Sequence, residues 1–537
     1  MTSWLSDSLP GVTARAVFLL LLTTARAHGA EPPPPPAPAM ASRELPESVA
    51  LPTTRVREPL PEVGAVKVRI DGEYEARQSF LTPLPLTPVD GSPASLGQTS
   101  RLFHWLRLRG LALFGANWEL RGETDVPRGM IYGKEPEAVP DNGSDFDRQQ
   151  PVQIHARMLR LRLHARVGEV SLGHTTTQVG MGLVDGDGDQ PRWFGTPDKP
   201  ATYERLQLLS GSPDSVLRVG ASGDVLFDDG RLSLNRDDRL LRVGLNARYA
   251  PSRRTHVELL GRYEALEKRD TRGGAQLLLL DLSGGFRSPL AGRSGELFGE
   301  YEAAYRVGGV SEPTAFGAAT EQQALAQVAL AARAGIALER VESYRRFAHL
   351  VVSLEWGTAS GDADPTDDEL HRFVMNPNHG VGLLLFSEIL RFKTARAQAL
   401  LQGANRSAGN ARVEGLATRG GIAGATYLNP VLLLRPMPDL ALKVGGVVAS
   451  ATTSVIDPGA LAARSTRNNF DGGSPFGRSL GSELDVGAEL TVPLDAPMLL
   501  RLSVEGGVAF PGSAFADADG RGLGRQALTT AGLGLTF

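Results

Sequence analysis

The chain has 537 residues, a formal net charge of −4 and no cysteine. A balance so close to neutral removes a global basic field for nucleic acid. The missing cysteines exclude disulfides, thiolate metal sites, cysteine nucleophiles and an acylated cysteine anchor.

The first element reads as an export signal. Arg15 precedes the apolar run Ala16 to Ala25, and Ala25-Arg26-Ala27 places small residues where a signal peptidase wants them. Asp7 and the long stretch before Arg15 are atypical for such a signal, and a short membrane anchor is the rival reading. The segment from Glu31 to Glu62 is rich in proline, which makes it extended and semi-stiff and unable to build a core. The expected organisation is a signal peptide over 1–27, a proline-rich periplasmic linker over 28–62 and one folded unit over 63–537.

From Val63 onward the sequence alternates almost to its end. In 66–77, Val66, Val68, Ile70, Gly72, Tyr74 and Ala76 form one face, with Lys67, Arg69, Asp71, Glu73, Glu75 and Arg77 opposite. In 159–167, Leu159, Leu161, Leu163, Ala165 and Val167 oppose Arg160, Arg162, His164 and Arg166. The same form recurs over 241–249, 297–307, 484–490 and 499–507. A period of two means strands with one apolar and one polar face, and stretches of about ten residues suit a tilted strand crossing a bilayer. Met158 and Leu159 break the phase, which predicts a bulge there. No segment offers the ~20 continuous apolar residues of a membrane helix. The run Gly382 to Leu401 does not alternate and reads either as a strand packed against a plug or as an inserted amphipathic helix that constricts a pore.

The connections also carry information. Turns such as 250–252 and 494–497 are short, whereas 123–151, 179–201, 358–379, 451–480 and 511–525 read as long polar loops, and the two kinds tend to alternate. That asymmetry belongs to an outer-membrane barrel. The chain closes on a strand whose outward face is Ala531, Leu533, Leu535 and Phe537, a form read by bacterial barrel-insertion machinery. The predicted fold is all-β, a transmembrane antiparallel up-and-down β-barrel. Lipid on the outside explains the alternation, since one arginine facing the bilayer midplane costs about 2–4 kcal/mol. The low aromatic content, 6%, counts against full interfacial girdles.

Three late segments, Ser360 to Phe373, Gly481 to Leu490 and Val508 to Phe515, resemble the alginate-export type of outer-membrane porin. That family typically shows an acidic Gly-Asp-Pro loop, a late Gly-x-Glu-Leu/Ile-Asp strand and a Phe-x-Pro-Gly turn, which these segments resemble in that order, the last with Phe510, Pro511 and Gly512 adjacent. Phe373 to Leu390 also resembles barrel-like proteins of delta-proteobacteria. The resemblance covers the last third of the chain by motif and the rest by strand pattern. It implies a monomeric barrel of about 18 strands (range 16–20) and, in some members, passage of an anionic polysaccharide past lysines and arginines. The proline-rich leader and the many lumen carboxylates depart from that pattern.

The expected pore-lining bases are Lys67, Arg69, Arg107, Arg109, Arg160, Arg162, His164, Arg166, Arg242, Arg248, Arg262, Lys443 and Arg501. Facing acids are Asp71, Glu73, Glu75, Glu258, Glu264, Glu300, Glu302, Glu355, Asp485, Glu489 and Glu505. The set reads either as a selectivity ladder or as cross-strand ion pairs that stiffen the wall. Arg160, Arg162, His164 and Arg166 are expected to lack acids nearby and to bias the pore towards anions. Asp185, Asp187 and Asp189, with Asp362 and Asp364, could hold Ca2+ in external loops, since carboxylates at alternate positions suit a hard cation; a solvated loop is the plainer reading, and no other cofactor is expected. Leu533, Leu535 and Phe537 form the barrel-insertion signal. No catalytic motif stands out. The expected partners are outer-membrane lipid, the barrel-assembly machinery and a hydrophilic solute, with no nucleic acid. The expected function is an outer-membrane porin or export channel for small or polymeric hydrophilic solutes; a non-channel surface scaffold and an outer-membrane enzyme are the alternatives.

Overall fold

The computed structural model describes residues 62–63, 66–86, 95–96, 99–133, 153–190, 192–197, 200–228, 239–267, 274–290, 295–311, 323–339, 349–407, 416–495 and 497–537. The expected signal peptide and all but the end of the linker lie outside these residues. The main sheet has 20 strands, of which two are two-residue pieces at 62–63 and 369–370. The remaining 18 form a closed antiparallel barrel. In chain order they are β1 (Val66–Leu81), β2 (Thr99–Phe114), β3 (Trp118–Gly133), β4 (Gln153–Ala165), β5 (Gly168–Thr175), β6 (Thr202–Ser210), β7 (Leu217–Asp228), β8 (Arg239–Ser252) and β9 (Thr255–Glu267). They continue as β10 (Gly274–Pro289), β11 (Gly295–Ser311), β12 (Gln323–Glu339), β13 (His349–Ala359), β14 (Ala425–Met437), β15 (Leu440–Ala451), β16 (Ser479–Pro493), β17 (Leu499–Pro511) and β18 (Gln526–Thr536). Each strand pairs with the next, and β18 returns to β1 with Thr536 opposite Glu73 and Leu528 opposite Leu81. Closure leaves no free edge and pairs the wall's backbone groups internally, as a bilayer requires.

Exposure is inverted relative to a soluble protein. On β8, Leu241, Val243 and Leu245 are 52%, 53% and 54% exposed, while Arg242 between them is 8% exposed. Water-soluble folds hide leucine and show arginine; here the apolar face covers the outside. Several exposed aromatics stand at the rims, Phe114, Trp118, Tyr249 and Phe537 at one and Phe80, Tyr132 and Phe510 at the other, where interfacial belts are expected, whereas Tyr301 and Tyr305 are exposed in the middle of β11.

The described connections follow the expected asymmetry: those after even-numbered strands include the tight 115–117, 166–167, 253–254 and 438–439, and those after odd-numbered strands include 176–201, 360–424 and 452–478. Both ends of the barrel chain, Val66 and Phe537, lie at the tight-turn rim. One expected loop is wrong: Glu123 to Gly133 belongs to β3, since the polar residues from Glu123 to Arg128 face inward and pair rather than loop out. The expected slip at Met158 is present. Glu123 opposes Met158 but Thr124 opposes Ala156, so Arg157 is the extra residue of a bulge.

The largest apolar core lies inside the barrel. The described parts of the connections 176–201 and 360–424 fold inward, and Leu183, Phe194, Phe373, Phe386, Ile389 and Phe392 pack together there. Each large side chain buried in this way stabilises by about 1.5–3 kcal/mol. The ambiguous run at Gly382 to Leu401 is the inserted helix, a π-turn over Leu385–Leu390 that runs into an α-helix, α1 (Arg391–Ser407). It is apolar on all sides at its start because protein surrounds it.

Candidate functional site

The loop 176–201 touches the wall around much of the lumen. At one point Glu302 of β11 accepts hydrogen bonds from the backbone N–H groups of Gly182 (2.8 Å) and Leu183 (3.1 Å). Further along, Asp185 meets Arg262 of β9 and lies 3.7 Å from Arg242 of β8. Asp189 accepts from Arg107 of β2 and Arg157 of β4, each at 2.7 Å. Phe194 lies against Gly445 of β15 and Gly487 of β16, where an added Cβ would stand 2.6 and 3.5 Å from its ring. Gly195 donates to Glu505 of β17 (3.1 Å) and its carbonyl accepts from Arg77 of β1 (3.3 Å).

These contacts decide how the acidic loop stretch behaves. Burial pushes the Asp185 carboxyl up, but Arg262 and Arg242 outweigh it and hold it below the usual carboxylate range. Burial likewise opposes ionisation of Asp189, and Arg157 and Arg107 again prevail. Asp187, buried beside the charge of Asp189, is pushed up to about 6. The guanidinium groups stand where calcium was expected. Asp362 and Asp364 lie elsewhere, with Asp364 held by Arg467 at 2.7 and 2.8 Å. Among the described residues no three His, Asp or Glu side chains converge as a metal site.

The second loop is anchored in the same style. Glu483 of β16 accepts from the backbone N–H of Leu383, of Leu384 (2.7 Å) and of Leu385 (2.7 Å), at the start of the inserted helix. His379 donates through Nδ1 to the Met181 carbonyl (3.1 Å), and its Nε2 lies 2.9 Å from the Tyr427 hydroxyl. That hydroxyl donates to Glu355 (2.7 Å), which Arg333 holds at 2.8 Å. Lys393 of α1 binds Asp471 at 2.5 Å, tying in the connection 452–478.

The expected pore-lining bases fall into three groups. Most are wall residues paired with wall acids: Arg107 with Asp125 (2.8 Å), Arg262 with Glu264 (2.7 Å), Arg242 with Glu264 (3.4 Å), and Arg501 with Glu73 (2.9 Å) and Glu75 (2.7 Å). Arg69 lies 3.3 Å from Asp71, Arg109 lies 3.6 Å from Glu73, and Lys443 lies 3.7 Å from Glu505. Arg248 opposes Glu258 in register, and Lys67, at the tight-turn end of β1, opposes Glu62. The second group is the run on β4, where the expectation of missing acids fails. Arg162 meets Glu169 (2.9 Å) and Glu119 (3.5 Å), and His164 lies 3.6 Å from Glu169. Those acids come from the neighbouring strands β5 and β3, across from the run rather than on it. Arg160 faces Arg121 across the strand pair. Arg166 forms the third group alone: it is exposed in the turn 166–167, not on the wall.

Between β18, β1 and β2 on one side and the two loops on the other lies a cavity of about 130 Å3. Five arginines line it, Arg77, Arg101, Arg192, Arg391 and Arg419, against one carboxylate, Glu388. Arg101 grips Glu388 with both distances at 2.9 Å. Arg192 is fixed by the backbone carbonyls of Thr196 (2.9 Å), Asn378 (3.3 Å) and Pro377. Ser79, Thr530, Thr196 and Ser387 add polar groups to the rim. None of the five arginines is among the expected pore-lining bases. Arg77 lies on the polar face of 66–77, but nothing local marks it, and the others come from four separate segments.

No protein-family model matches the chain, and no curated protein matches it. Among solved structures it is similar to the outer membrane protein OprD of Pseudomonas aeruginosa, at 11% identity and a TM-score of 0.45 over 87% of this chain and 94% of that one. OccAB1 of Acinetobacter baumannii gives 11% identity and a TM-score of 0.46 over 87% and 97%. OccK2 (OpdF) of Pseudomonas aeruginosa, solved in complex with glucuronate, gives 11% and 0.45 over 87% and 98%. At such identities and TM-scores the likenesses do not bear on what this lumen binds.

Proposed function

We propose that the chain is a bacterial outer-membrane porin, not an enzyme, and that its two inserted loops narrow the lumen to an arginine-lined gap for small hydrophilic anions. The observation that carries this reading is the gap itself: five guanidinium groups against one carboxylate, at the place where the loops leave space. Charged groups at a constriction set ion preference, and low-dielectric walls focus their field on the passing solute. A space of about 130 Å3 fits a small solute better than a polymer, given about 30 Å3 per water in the liquid. Most of the expected wall bases elsewhere are paired with wall acids, and the proposal assigns the selectivity to the gap.

The resemblance to alginate-export porins belongs to this proposal. Its late motifs fall on β16, which carries Glu483, and on the turn after β17, where Phe515 is buried under Lys393. So does the assembly route: Leu533 and Phe537 face outward on β18, the surface offered to the barrel-assembly machinery, with Leu535 on the same strand face. A monomer fits a barrel closed on its own chain.

Reversal potentials in a planar bilayer under a potassium chloride gradient test the reading. The natural protein should prefer chloride, and Arg391→Gln with Arg419→Gln should lower the chloride-to-potassium ratio several-fold. An unchanged ratio would remove the gap as the selectivity element. A folded barrel that gives no conductance at all would favour the surface-scaffold reading.

A further inference from the structure

Both inserted loops hang from the wall by backbone N–H groups, and in both cases the acceptor is a wall glutamate with a second acid beside it. Asp281 of β10 stands diagonal to Glu302 and within hydrogen-bonding reach of it. Asp485 follows Glu483 by two residues on the same face of β16 and is likewise within reach. Asp281 is 1% exposed and Asp485 0% exposed. Apart from that neighbouring acid, Asp281 has no hydrogen-bond partner for either carboxylate oxygen, and Asp485 has at most the Leu383 backbone N–H, which belongs to the loop itself. Two ionised carboxylates buried in contact repel and forgo solvation, whereas one proton held between them converts the clash into a strong O–H···O bond.

We propose that two buried protons lock the constriction, one shared by Asp281 and Glu302 and one by Asp485 and Glu483, and that losing them at higher pH releases the loops 176–201 and 360–424 from the wall. With the proton in place, the aspartic acid donates to the glutamate, which stays ionised and keeps its hold on the loop N–H groups. Without it, each pair carries two negative charges, and the glutamate can reduce the repulsion only by swinging away from its partner and its loop.

The surroundings do not cancel this repulsion. Around Asp281 and Glu302 stand Asp185, Glu258, Tyr427 and Arg262, and Arg262 is already engaged by Asp185 and Glu264. Around Asp485 stands Glu505, which lies 3.5 Å from Arg77 and 3.7 Å from Lys443. No basic group is placed between the members of either pair among the described residues.

Regulation of the proposed channel takes its physiological meaning from the transport reading, but the lock itself can be measured without conduction. Hydrogen–deuterium exchange of the full chain in vesicles would follow the amides of Gly182, Leu183, Leu384 and Leu385 across pH, after division by intrinsic rates. Protection should fall about tenfold per pH unit between the titration point of the released acid and the higher one of the locked acid, and level off above it, one proton per loop. In Asp281→Asn with Asp485→Asn the amide groups donate where the protons did, so protection should stay level. Equal falls in both proteins, or no fall in the natural one, would overturn the proposal. Should the double variant not assemble, infrared spectra of the natural protein decide. A buried protonated-carboxyl band that disappears together with loop protection supports the lock, and no such band at neutral pH overturns it.

Discussion

Arg157 is the residue that strict alternation sends into lipid. Leu159 and Leu161 face outward, and counting back by twos puts Arg157 with them. The bulge reverses its direction, leaving it 1% exposed inside the lumen. There it binds Glu123 (2.5 Å), Asp189 (2.7 Å) and the Asp187 carbonyl (2.7 Å). Truncating one partner of a buried ion pair typically costs about 3–5 kcal/mol, because the other charge stays buried. Arg157→Ala should therefore loosen the loop 176–201, read as faster protease cleavage there with the barrel intact. Arg157→Leu with Asp189→Asn should recover part of the loss. Cleavage at the natural rate in Arg157→Ala would show that this residue does not hold the loop. The alternation of Leu159 to Ala165 was legible because it is local. The role of Arg157 was not, since it depends on the register against Glu123, and nothing local records that Asp185 and Asp189 pair with arginines from distant strands.

Among the elements, β18 and the inserted helix show how far pattern carries. The alternation of Ala531, Leu533 and Phe537 gives the last strand and its outward face. It does not say that Phe537 exchanges backbone hydrogen bonds with Gly72 (2.9 and 3.0 Å) and lays its ring over that glycine. A Cβ at Gly72 would stand 2.4 Å from the ring. An aromatic covering a strand glycine is a known device for pinning a seam. Gly72→Val should displace the ring and slow assembly, seen as a smaller fraction of heat-modifiable protein in outer-membrane fractions. Phe537→Ala in the Gly72→Val background should relieve the clash without restoring the seam, so full recovery in that pair would contradict this account. The helix at Arg391 was legible only as a choice of two, because a run that is apolar on both strand faces is also apolar around a helix. Burial inside the barrel resolves it, with Thr394 bonded to the Leu390 carbonyl (2.7 Å) and Lys393 to Asp471.

At the scale of the whole molecule, two sequence properties specify the barrel: the period of two in its strands and the alternation of tight and long connections. Both are local, and the period of two recurs along the 18 strands of the wall, so errors in single elements do not change the architecture. The gap has no such redundancy. Arg77, Arg101, Arg192, Arg391 and Arg419 meet because β1, β2 and two long loops reach the same place, and no period in the chain records that meeting. The central claim beneath these readings is that lipid covers one face of each strand and water the other. The absence of cysteine makes this directly measurable by single substitution in reconstituted vesicles. Ser79→Cys and Thr530→Cys, on the gap side of β1 and β18, should react with a small water-soluble thiol reagent. Phe80→Cys and Ala531→Cys, one residue further along each strand and exposed on the outer face, should resist it and be quenched from within the bilayer when labelled. Equal reactivity at neighbouring positions, or a chain that stays in solution and never enters the vesicles, would contradict the account.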